Sequence, residues 1–209
     1  SGAYLLGITV LHLMPTVFSV HNHSIGFFVM AGFLLQLFLE QLSGGVEHGH
    51  IHLPHQQSSG QFAISVMIGL CVHAFLEGMP LSNYETIIPD RHHHSLGHNH
   101  LLYGVIMHKA PAAFALSLLF LLAGYEKWKV ALCVVIFSAM SPLGALFSAL
   151  LVLDVQAQLY VIAAVIGSFL HISTTILFET DATNHHNIPF RRLVAIMVGI
   201  GMASTTVLL

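Results

Sequence analysis

Two short stretches of this chain place cation-binding side chains where apolar ones would be expected: CVHAFLEGMP, with His73 and Glu77, and IMHKAPAAF, with His108 and Lys109. His73 and Glu77 are four residues apart, so on an α-helix they share a face about one turn apart. Two imidazoles and one carboxylate make an open zinc-type donor set, in which three protein ligands leave a fourth position for water or an exchanging group. A lone histidine in a membrane helix is more often a hydrogen-bonder to a neighbouring helix than a metal ligand. Glu77 weighs the other way, because an ionised carboxylate in a bilayer costs several kcal/mol unless paired and by default marks an ion or proton path. Lys109 is a second costly charge that must snorkel outward, pair with a carboxylate such as Glu77, or give up its proton. Pro80 and Pro111 lie close by and free the carbonyls of Leu76 and Met107, although proline is common in membrane helices generally.

The elements that carry these residues must be membrane helices. Of 209 residues 56% are hydrophobic and 7% charged, with a mean hydropathy of +0.81. Ordinary soluble domains carry about 25% charged residues, so a water-coated globule is excluded. A net charge of −3 without a basic patch gives no footprint for nucleic acid. No ATP-binding motif is present. Cys71 and Cys133 sit in apolar runs and read as buried small side chains, not disulfide partners.

A span needs about 20 mainly apolar residues. Seven runs qualify: Ser1–Phe18, Ile25–Leu42, Gln61–Leu81, Leu101–Gly124, Val130–Leu153, Leu159–Phe178 and Phe190–Leu209. They are too long for core strands and lack alternating polarity, so the expected class is an all-α polytopic membrane protein forming one transmembrane domain over 1–209. Lys127, Lys129, Arg191 and Arg192 fall in loops on one side, which the positive-inside rule makes the cytoplasm. Ser1 is then inside and Leu209 outside, and one preceding helix is expected to be missing. In this frame His73 and His108 both lie about 10 to 12 Å below the outer surface, at about 1.5 Å per residue, and can meet.

The seventeen histidines outnumber all charged residues. Four of them, His48, His50, His52 and His55, fall in an inner loop over 43–60, and five, His92, His93, His94, His98 and His100, in an outer loop over 84–100. Such tracts suit weak, exchangeable binding of borderline metals, against the plain alternative of polar loop filler. His171, Thr175 and Glu179 share one face of the sixth span. With Glu40 they form either an exit path toward the cytoplasm or a set of interfacial acids and self-bonded hydroxyls. His12, in HLMP of the first span, is undecided in the same way. Ser141, Ala145 and Ala149 make a small-residue face suited to close helix packing.

HAFLEGM and HKAPAAFAL together resemble the paired fourth and fifth helices of the ZIP family of divalent-metal transporters. The likeness runs over the whole chain, with the seven spans matching family helices two to eight and HLMP similar to the family's HLLP. His73 and Glu77 match ligands of the HNxxDG/HNxxEG pattern, and His108 matches the first position of HExPHE. Ala74, Lys109, Ala112, Ala113 and Ser141 stand where the family pattern has Asn, an acid, the second His, the last acid and a Glu before proline. HKAPAAF itself is similar to a minority subfamily.

The resemblance implies transport of divalent metal, chiefly Zn²⁺ with Fe²⁺, Mn²⁺ or Cd²⁺ as further cargo, toward the cytoplasm. The departures from the family pattern lead to the expectation of a single metal at His73, Glu77 and His108, modulated by Lys109, Pro111 and Ser141, with the Lys109 ammonium in place of a second cation. The resemblance also implies a bundle in which a block including spans three and four moves against the rest, and leaves room for a homodimer in the plasma membrane or, in a eukaryote, the Golgi. Two rivals remain: a seven-helix membrane zinc hydrolase that recruits His171 to the metal, and a ZIP-like membrane protein that no longer transports.

Overall fold

The computed structural model describes residues 2–20, 22–46, 59–82, 100–151, 153–178 and 190–208. Of the two histidine-rich loops, 47–58 and 84–99 lie outside these residues, while His100 opens a helix; His48, His50, His52, His55, His92, His93, His94, His98 and Glu179 all lie outside. The described residues form seven helices and no strand. They are α1 (Gly2–Phe18), α2 (Ser24–Ser43), α3 (Ser59–Gly78, drawn out by a 3₁₀ turn Met79–Ser82), α4 (His100–Leu122), α5 (Lys127–Leu150), α6 (Val155–Phe178) and α7 (Phe190–Leu208). By length and composition α2, α3, α4, α5 and α6 can each cross a bilayer; α1 is apolar but shorter, and α7 opens with Arg191 and Arg192.

Helix ends fall where local chemistry requires. α2 ends at Ser43, and Gly44, whose φ of 63° is left-handed, turns the chain so that the Gly45 N–H returns to the Glu40 carbonyl at 3.3 Å. α4 stops before Gly124, with φ 83°, and the Tyr125 N–H returns to the Phe120 carbonyl at 3.0 Å. α6 begins four residues before the sequence expectation because Asp154 caps it, its Oδ1 accepting from the Ala157 N–H at 2.8 Å. Arg192 of α7 donates to the Ile176 carbonyl at 3.0 Å, satisfying the other end of α6. Within α1, Thr9–Leu13 widen into a π turn ahead of Pro15.

The helices pack chiefly as α2 on α6, α3 on α5 and α1 on α7, with α2 also against α3 and α1 against α6. Two of these crossings bring backbones together without intervening side chains. A methyl group on Gly32 of α2 would overlap the Ala164 carbonyl of α6, and one on Gly167 of α6 would overlap the Val29 carbonyl of α2. Gly78 of α3 meets Ser141 of α5 in the same reciprocal way as Gly144 of α5 meets Phe75 of α3. Lipid offers no hydrophobic drive between helices, so close approach of small residues is how such pairs gain contact energy.

Two apolar cores result. One gathers residues of α1, α6 and α7 around Leu5, Ile166 and Phe169; the other gathers residues of α3, α4 and α5 around Leu70, Leu116 and Phe137. α4 contributes to both, with Leu101 and Val105 in the first core and Ala112, Leu116 and Phe120 in the second. Many large apolar side chains point outward, among them Phe27, Phe114 and Leu150, as a lipid-facing surface requires.

Gly32→Val should lower stability by about 1–3 kcal/mol or prevent folding, since the α2–α6 pair has no room to absorb the added volume. Gly26→Val, on the same helix with nothing within 4 Å of its new Cβ, should fall well short of that loss. Thermal unfolding of the two variants in detergent checks the contrast.

Candidate metal centre

His73 and Glu77 lie in the last turns of α3, and α4 brings His108 against them. All three are buried, at 2%, 2% and 3% exposure. One donor atom from each residue can be chosen so that all lie within 4.8 Å of one another. His73 Nε2 is 3.1 Å from Glu77 Oε2, and the rings of His73 and His108 meet edge to face with centroids 5.8 Å apart. Zinc–ligand bonds of about 2.0–2.2 Å in a tetrahedron put donor atoms about 3.4 Å apart, so the trio would close by little more than about 1 Å around an ion. Among the described residues, this is the group of His, Cys, Asp and Glu spaced to hold a metal.

Lys109, next in sequence to His108, turns neither to the outer surface nor into an ion pair with Glu77. Its Nζ donates to Ser141 Oγ on α5 and lies 4.9 Å from the centroid of the Phe137 ring. Ser141 in turn donates its one proton to the Ala74 carbonyl at 2.8 Å. The ammonium is therefore tied, through α5, to the backbone next to His73. Ser141, expected to serve helix packing, does that at Gly78 and also carries this link. Ala112 and Ala74, where the family pattern has ligands, are fully buried apolar contacts of the second core. Pro111 sits inside an uninterrupted α4, and Pro80 lies in the 3₁₀ turn that ends α3.

Below the trio a polar seam runs between α2 and α6. Ser168 Oγ is 3.5 Å from His73 Nδ1 and donates to Gln36 Oε1 at 3.0 Å. One turn further along both helices, His171 Nε2 contacts Glu40 Oε2, with the Phe33 ring edge-on to the imidazole at 4.9 Å. His171 and Glu40, expected to share a path, are thus joined; Glu179 lies outside the described residues. Gln36 and Ser168 were missed at the sequence level. A signal was there: Gln36 interrupts FLLQLFLE four residues before Glu40, and Ser168 precedes His171 by three, so both pairs lie on common faces. His12 lies within the π turn of α1 and outside the trio.

A helical bundle with apolar outer faces and a buried cluster of cation ligands defines a membrane protein built around an ion-sized polar site. Residues 45–208 match the family model "ZIP Zinc transporter", and the chain belongs to that family. It is therefore a metal transporter by family and not an enzyme. The hydrolase alternative needed His171 at the metal, whereas His171 is engaged with Glu40 and stands apart from the trio. No solved structure matches the chain.

Ser141→Ala should cost about 1–3 kcal/mol, because the half-buried Lys109 ammonium loses its acceptor. Ser117→Ala, which removes only a bond to its own helix at Ala113, should cost much less. Chemical denaturation in mixed micelles distinguishes the two.

Proposed function

We propose that this chain carries Zn²⁺ toward the cytoplasm through a mononuclear site made of His73, Glu77 and His108, with Lys109 standing in for a second cation. The observation that carries the reading is the convergence of three buried donors from two helices within 4.8 Å. Three ligands plus water bind firmly enough to select and loosely enough to release, as a carrier requires. Imidazole with a carboxylate favours Zn²⁺ while also admitting Fe²⁺, Mn²⁺ or Cd²⁺.

Lys109 supports the single-ion reading in two ways. It brings fixed positive charge within Coulombic reach of Glu77, and its anchor, Ser141, occupies the position where the family pattern offers another acid. A second divalent ion would face an ammonium and lack carboxylate ligands. Direction rests on Lys127, Lys129, Arg191 and Arg192, at the first turns of α5 and α7, which the positive-inside rule assigns to the cytoplasmic side. The joined His171 and Glu40 give a cation leaving the trio a second set of donors on that route. The division of the apolar interior into two cores fits a block containing α3, α4 and α5 that shifts against the remaining helices. The metal gradient, the membrane potential or exchange of protons for metal at His73 and Glu77 supplies the drive.

Uptake of labelled zinc into proteoliposomes tests the assignment. His73→Ala and Glu77→Ala should abolish it, whereas replacing His48, His50, His52 and His55 should alter only apparent affinity or regulation; transport surviving both intramembrane changes would refute the site. Zinc titration of purified protein should show His73→Ala losing one tightly bound ion per chain, and the loss of two would rule out the mononuclear centre.

A further inference from the structure

We propose that Gln36 and Ser168 are positioning residues that hold His73 in the tautomer with its proton on Nδ1, leaving the Nε2 electron pair for the cation; this rests on the mononuclear reading above. Ser168 has a single hydroxyl proton, and that proton is committed to Gln36 Oε1 at 3.0 Å. Toward His73 Nδ1, 3.5 Å away, the same oxygen therefore presents lone pairs. It can accept from an Nδ1–H and cannot donate to a bare Nδ1. A neutral imidazole carries one proton, so placing it on Nδ1 makes Nε2 an acceptor.

The other side of the ring then acquires its meaning. Nε2 faces Glu77 Oε2 at 3.1 Å. With the proton on Nδ1, two acceptors confront each other in a buried space, and a positive charge between them relieves the repulsion. The opposite tautomer would donate Nε2–H to Glu77 and close the pair on itself, so that a metal would first have to break that bond. Gln36 and Ser168 come from α2 and α6, whereas the ligands come from α3 and α4. The tautomer is thus set from outside the helices that hold the ion. Outer partners of this kind commonly fix ring orientation at metal-binding histidines.

Zinc uptake by proteoliposomes of the full chain tests the proposal. Ser168→Ala should raise KM for zinc about 10- to 100-fold with little change in maximal rate. Gln36→Met should act in the same direction, because it frees the Ser168 proton to donate to Nδ1. Ser168→Thr, which keeps the hydroxyl, should restore KM to within about threefold of wild type. A second readout is the rise in Tm that zinc gives the purified protein, for which Ser168→Ala should need about 10- to 100-fold more zinc.

A wild-type KM in both Ser168→Ala and Gln36→Met, or a Ser168→Thr variant as impaired as Ser168→Ala, would overturn the positioning role. So would a lowered metal-free Tm with KM unmoved, the result expected of packing alone. His73→Ala, assayed alongside, separates the two levels. If it transports like wild type, the metal site itself is wrong; if it is inactive while Ser168→Ala keeps a wild-type KM, only the tautomer proposal fails.

Discussion

A carboxylate buried in the middle of an apolar bundle is the constraint on which this structure turns. Glu77 is 2% exposed and lies in a helix that, apart from Gln61 and His73, is built of apolar and small residues. Leaving such a group charged and alone would cost far more than any single helix contact returns. The bundle answers by surrounding it with an ammonium and with imidazoles that can share a cation with it. His73 lies one turn back on the same helix, His108 comes from α4, and the Lys109 ammonium is held nearby by Ser141. Each of these partners needs support of its own, which draws in Ala74, Gln36 and Ser168. A polar network of this kind favours a unique packing because an incompletely satisfied one is expensive.

The supporting helices can come so near because their contact points have no side chains. Where Gly32 and Gly167 let α2 and α6 touch, Gln36 follows one turn after Gly32 and Ser168 directly after Gly167, with Glu40 and His171 beyond them. Short side chains then span the gap directly. The same economy holds on the other flank, where Gly78 and Gly144 bring α3 and α5 close enough for the Ser141 hydroxyl to reach a main-chain carbonyl of α3. In both places small residues and polar bonds depend on each other.

Much of this was legible in the sequence, and the reasons are physical. Sparse charge and long apolar runs give the helices, because backbone groups in lipid have no other way to be satisfied. The i, i+4 spacing puts His73 and Glu77 on one face, and depth arithmetic brings His108 to their level. What could not be read were partners chosen across helix interfaces. Lys109 had three evident outcomes and took another, a serine on α5, since which face of α4 meets α5 is invisible in a linear pattern. Gln36 and Ser168 escaped notice because single amide and hydroxyl groups are common in membrane helices and most bond to their own turn, as Ser173 and Thr174 do.

α4 belongs to one core above His108 and to the other below it, and Pro111 falls between Val105 and Ala112, where allegiance changes. Proline has no N–H, so the ladder bond that would return to Met107 is already missing. Bending the helix at that turn breaks no hydrogen bond that was there to begin with. In mechanical terms the rod that carries His108 is softest beside its own ligand, and flexure there would swing the imidazole without unzipping the helix on either side.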